Sequence, residues 1–183
     1  AYAYGTNTRP YEERASYTGR NYQDVYAIDL HTGARRLMQR QKPSGPMVAS
    51  PDGRRVLFWG KDANWWVLDL ATGDSVNVTR GVATSFINTA DDHNNLYPPP
   101  AAARGWSSDG KFVLLYDGWD VWQVPSSGSG GAINLTGDGR RSQVHYQTLY
   151  RFAAPRGGAR APRAVDPADG IDLSQPLYFG TYG

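Results

Sequence analysis

The chain has 183 residues, with 19 Lys and Arg against 17 Asp and Glu and a formal net charge of +2. It contains no cysteine, which excludes disulfides and thiolate metal sites, and it shows no clustered basic face of the kind that binds nucleic acid. No apolar run is long enough to span a membrane, and 13% aromatic residues beside Gly 21 and Pro 12 give a turn-rich all-β profile.

Residues 1 to 22 are polar and Tyr-rich and read as a solvated loop or edge strand, with Tyr11 to Ala15 a strand or a short helical turn. Glu12 and Glu13 are the only adjacent glutamates. Their sharper reading is an acidic pair that holds a substrate's amino terminus. Asp24 to Met38 reads as the outer half of a first sheet, and Gln39 to Ser44 as a linker.

Gly45 to Thr79 then forms one complete unit of four strands. Gly45 to Ala49 is the innermost. The turn Ser50-Pro51-Asp52-Gly53 follows, with Pro able to pre-set φ and Gly able to supply positive φ. Arg54 to Trp59 and Trp65 to Leu70 are apolar on both faces, so both faces are expected to be buried. Ser75 to Thr79 is a shorter, more polar strand.

Arg80 to Arg104 interrupts the pattern with a loop centred on Phe86 to Pro100. Function concentrates on long loops over rigid scaffolds. Asp91, Asp92 and His93 offer metal ligands, but their spacing matches no metal motif such as the alternating ligands of a calcium loop. The three prolines favour an extended exit. Ala103 to Thr136 is a second complete unit, with Pro125 to Gly131 as its flexible hairpin tip. That tip opens no helix and lacks a Gly-Lys-Ser ending, so it is no phosphate loop. Gln143 to Phe152 begins a further unit, Ala153 to Gly170 reads as a mobile Pro/Gly/Ala/Arg-rich loop, and Gln175 to Tyr182 is the next strand.

The units repeat. Asp24 to Gly33 matches Asn64 to Gly73 at an offset of 40, and Ser50 to Trp59 matches Ser107 to Tyr116 at an offset of 57, the loop supplying the excess of 17 (57 − 40). Asp120 to Val124 and Ala132 to Thr136 match Asn64 to Leu68 and Ser75 to Thr79. An aromatic recurs at one register: Tyr26, Trp66 and Trp122. Four strands in about 40 to 45 residues are the mark of a β-propeller. The expected fold is all-β: a partial, unclosed propeller of four-stranded antiparallel blades, with three to four blades present. Residues 1–42 end one blade, 43–80 and 103–137 are full blades, 81–102 is the inserted loop, and 138–183 begin the next blade.

No catalytic apparatus is visible. Ser127-Gly128-Ser129-Gly130-Gly131 lacks the first glycine and the strand-to-helix context of a nucleophile elbow. His31 reads as an exposed turn residue, His93 lies in the loop, and His145 reads as a packing residue between blades. No cofactor is expected.

The Ser-x-Asp-Gly repeats, Asp24-Val-Tyr-Ala-Ile-Asp-Leu30, Asn77-Val-Thr79, Gly105-Trp106, Tyr116-Asp117, Asp120-Val-Trp-Gln-Val124, Asn134-Leu-Thr-Gly137 and Gly170-Ile-Asp-Leu-Ser-Gln-Pro-Leu177 carry a resemblance. Over roughly residues 10 to 183 the chain resembles the propeller of bacterial prolyl oligopeptidase family serine peptidases, of the dipeptidyl-peptidase and acylaminoacyl-peptidase kind. Periplasmic Tol-type propellers are a more distant likeness. The resemblance implies a propeller that caps an α/β-hydrolase domain of the same parent chain and restricts entry to short peptides. No hydrolase motif occurs here, so no catalytic residue carries over. The expected substrate contacts are Asp91, Asp92, His93, Glu12 and Glu13, and open blade edges are expected to favour self-association. Two other readings stand beside this one: a non-enzymatic Tol-type scaffold for protein–protein binding, and a sugar- or metal-binding propeller. The compartment stays open among periplasmic, secreted and cytoplasmic.

Overall fold

The computed structural model describes residues 1–151, 163–164 and 169–183. Most of the loop expected over Ala153 to Gly170 therefore lies outside the described residues. The protein is an all-β, propeller-like stack of antiparallel sheets that does not close into a barrel.

The first sheet contains β1 (Tyr2–Asn7), β2 (Tyr22–Asp29) and β3 (Arg35–Pro43). The second has the order β4 (Met47–Ala49), β5 (Arg55–Trp59), β6 (Trp65–Asp69), β7 (Ser75–Asn77). The third repeats it with β8 (Ala102–Trp106), β9 (Phe112–Tyr116), β10 (Val121–Pro125) and β11 (Ile133–Asn134). The fourth places β12 (His145–Arg151) between β13 (Arg163–Ala164) and β14 (Tyr178–Tyr182).

Residues 1 to 22 follow the edge-strand and helical-turn alternatives of the expectation. Tyr2 to Asn7 pair along their whole length with Asp29 to Asp24, in the register that joins β5 to β6. The first sheet is thus three-stranded rather than an outer half. Alternating Tyr side chains gave the segment a face to bury, and Tyr2 and Tyr4 pack against the core shared with the second sheet. Arg9–Tyr11 forms a 3-10 turn and Glu12–Thr18 a helix, α1, which ends on Gly19 at φ +64°. The Tyr11 hydroxyl fastens this segment to β2 by donating to Asp24 Oδ1 at 2.5 Å, and the Gln41 amide donates to the same oxygen at 2.9 Å. These two bonds, Tyr11's first, hold the buried Asp24 carboxyl below the usual carboxylate range.

Sequence repeats are local hydrogen-bond devices. Ser50 Oγ donates to Asp52 Oδ1 at 2.6 Å and accepts the Arg55 amide at 2.9 Å, and Ser107 does the same with Asp109 and Phe112 at equal distances. Gly53 and Gly110 close these turns at φ +66° and +68°, where a side chain is strained. Asn77 Oδ1 accepts the amides of Thr79 and Arg80, while Thr79 Oγ1 accepts the Trp65 amide at 2.9 Å. Asn134 and Thr136 repeat the arrangement on Val121.

Three apolar layers lie between successive sheets. Val25, Val56 and Leu68 fill the first, Trp65, Leu115 and Trp106 the second, and Leu114, Val121 and Leu149 the third. Tyr26, Trp66 and Trp122 do occupy one register, but all three are only half-buried. Their chain neighbours Val25, Trp65 and Val121 are fully buried and face the following sheet. Trp66 instead packs on the side of the first sheet and Trp122 on the side of the second.

Candidate functional site

The loop between β7 and β8 is anchored at its base. Phe86 is buried in the layer between the second and third sheets. Ile87 bridges Pro100, the Asn88 amide donates to the Pro99 carbonyl at 2.8 Å, and the Trp59 indole N–H donates to the Pro98 carbonyl at 2.8 Å. The prolines supply acceptors without donors of their own. They are therefore suited to the side of the loop that receives Trp59 and Asn88. Residues 92 to 96 are exposed beyond this base.

Asp91, Asp92 and His93 come together at the tip, with one ligand atom from each within 4.8 Å of the others. Asp91 is committed to the loop itself. Its Oδ1 accepts the His93 amide at 2.9 Å and Asn95 Nδ2 at 3.1 Å, and lies 3.0 Å from His93 Nδ1. The His93 amide is the largest cause holding its carboxyl below the ordinary value. This is the Asx geometry by which a short acidic side chain orders a turn. His93 and Asp92 are 79% and 97% exposed, and Asp92 Oδ1 lies 3.7 Å from His93 Nδ1. Of the three, Asp92 is the carboxylate open to a ligand.

Glu12 and Glu13 stand in the first turn of α1, where negative charge suits the helix end. Both are exposed, and Glu12 Oε1 accepts the Thr8 hydroxyl at 3.2 Å. A polar cleft of about 590 Å³ does join the two regions, between Thr18 to Tyr22, Pro43 to Ser44 and Asn94 to Tyr97. The Tyr22 side chain is the largest cause raising the Tyr97 hydroxyl above its usual pKa. None of the five acidic and histidine candidates lines this cleft. It is walled by the far end of α1 and the returning limb of the loop.

No family model and no curated protein matches the chain. Its chemistry is therefore read from the side chains. His31 is an exposed turn residue, as expected. His145 is stacked between Trp119, at 4.0 Å between centroids, and Tyr182, at 4.5 Å, as a packing histidine should be.

Two cations escaped the sequence reading. Lys42 of β3 is buried, and Arg104 of β8 places its guanidinium 4.5 Å from the Tyr116 ring centroid, with its Nε buried and lacking a hydrogen-bond partner among the described residues. Burial lowers Lys42 to about 8 and Arg104 to about 10. Lys42 fell in the linker expected over Gln39 to Ser44, whereas β3 runs on to Pro43, and no local pattern reports a neighbouring sheet for either cation.

Proposed function

We propose that this chain is the substrate-gating propeller segment of a serine peptidase of the prolyl oligopeptidase family that acts on short peptides. Catalysis belongs to an α/β-hydrolase domain of the same parent chain. The observation that carries the reading is the loop from Phe86 to Pro100. It interrupts a repeat of stacked sheets, yet it is pinned through Phe86 and Trp59 and presents Asp92 on an ordered tip. A charged tip on a rigid base suits a rim that admits peptides by their charge and size. The repeat motifs and the resemblance they carry support the same reading.

The test is labelling of the parent protein with a fluorophosphonate, which reacts with an activated serine. One labelled serine outside residues 1–183 is the expected result. A parent protein that takes no label is instead a non-enzymatic scaffold of the Tol type.

A further inference from the structure

Between the first and second sheets lies a cleft of about 560 Å³, away from the loop. Its apolar walls are Phe58 and Trp66, and Arg40, Lys42 and Lys61 supply positive charge. Lys42 is only 5% exposed. Its Nζ donates to the carbonyl of its neighbour Pro43 at 3.0 Å and sits 5.5 Å from the Phe58 ring centroid. Among the described residues no carboxylate pairs with it.

The one acidic group of the cleft is already engaged. Asp62 Oδ1 accepts the Trp66 indole N–H at 2.9 Å, and its Oδ2 accepts from Asn64 and Asn77, each at 3.2 Å. Those bonds fix the Trp66 ring as a wall and occupy both carboxylate oxygens. An ammonium has three donors, and burying one with a single neutral acceptor is unfavourable unless a further partner arrives.

We infer that this cleft binds a small organic carboxylate with an apolar or aromatic body, its anion on Lys42 Nζ and its body between Phe58 and Trp66. The ligand supplies the counter-charge that the fold withholds, and Arg40 and Lys61 add attraction at the entrance. The low proton affinity of Lys42 is what a buried cation without a counter-ion shows. A bound carboxylate restores that affinity, so binding draws a proton onto the amine. This site is independent of the peptidase reading.

Calorimetric titration with phenylacetate, phenylacetamide and acetate tests it. Phenylacetate is expected to bind saturably, and both other compounds at least tenfold more weakly, because each lacks one half of the recognition. The comparison needs no variant. Lys42→Met, which keeps the length of the stem and removes the charge, is expected to weaken phenylacetate at least tenfold while unfolding at the same temperature or higher. No saturable binding of phenylacetate, equal affinity for phenylacetamide, or full affinity in a folded Lys42→Met protein overturns the inference.

Discussion

Arg55 of β5 lays its guanidinium carbon 5.2 Å from the centroid of the Trp106 ring of β8, in the next sheet. The contact is reciprocated. Arg55 also donates to Ser126 Oγ at 3.0 Å and to the Gly110 carbonyl at 2.8 Å, while the Trp106 indole N–H donates back to the Val48 carbonyl at 3.0 Å. Arg36 of β3 makes the matching reach from the first sheet, donating to the Leu70 carbonyl of the second at 3.2 Å. The first sheet thus holds the second, and the second the third, by a forked cation that meets backbone acceptors beside the apolar layer.

Arg55→Ala is expected to destabilise the protein by about 2–3 kcal/mol, through lost charged hydrogen bonds and a lost ring contact. Arg55→Lys should recover little, since an ammonium lacks the planar fork. Urea unfolding of the three proteins measures this. A lysine variant equal to the parent would show that only charge matters at this junction.

The neighbouring pair Trp65 and Trp66 divides the labour of β6. Trp65 is fully buried, and its indole nitrogen has no hydrogen-bond partner among the described residues. Trp65→Ala is therefore expected to cost about 3–5 kcal/mol, and Trp66→Ala clearly less. Trp65→Phe should be much milder than Trp65→Ala, because it removes an unsatisfied donor along with volume. Thermal unfolding ranks the variants, and a Trp66 variant as damaging as Trp65→Ala contradicts the register described.

Strand order and the turns were legible in the sequence because both are local. The Ser-x-Asp-Gly motif bonds within itself, and the paired apolar faces of residues 55–59 and 65–69 required sheets on both sides. Which aromatic of Trp65 and Trp66 is buried was not legible, since both faces of β6 are apolar and alternation is silent. The pairing of β1 was hidden because its polar Tyr and Thr residues resemble loop composition. The acidic tip was found by its composition, but not the commitment of Asp91 to its own turn. The burial of Lys42 depends on Phe58, 16 residues away, and no short-range pattern encodes it.

Lys42 also makes a prediction for pH. Burial lowers it to about 8 in the folded chain, whereas the unfolded chain keeps that proton to near the ordinary lysine value of about 10.4. Between these values the unfolded state binds more protons, so stability rises with pH across the window. Below about 8 the penalty of the buried charge is fully present. The difference in unfolding free energy between the parent and Lys42→Met should therefore narrow from pH 7 to 10, by up to about 3 kcal/mol. Using the difference cancels the titrations common to both proteins. A difference that does not change with pH contradicts the burial of Lys42 as a strained cation.

Under the proposed gating role, Asp91 and Asp92 should behave differently in the parent protein. Asp92→Asn is expected to lower kcat/KM for peptides with a free amino terminus severalfold and to leave amino-blocked peptides unchanged, since a free ammonium is the group its carboxylate attracts. Asp91→Asn keeps the acceptor oxygen of the turn, and its effect should be smaller. Equal kinetics for both peptide types in parent and Asp92→Asn would leave the loop as surface.

The most direct measurement of the gating role compares substrate size. Short chromogenic peptides and denatured casein are offered to the parent protein and, separately, to residues 1–183. The parent is expected to hydrolyse the short peptides and spare the casein, and residues 1–183 to hydrolyse neither. Peptide hydrolysis by residues 1–183 alone, or a parent that cleaves casein as readily as the short peptides, would contradict the assignment of this stack of sheets as a gate without catalysis of its own.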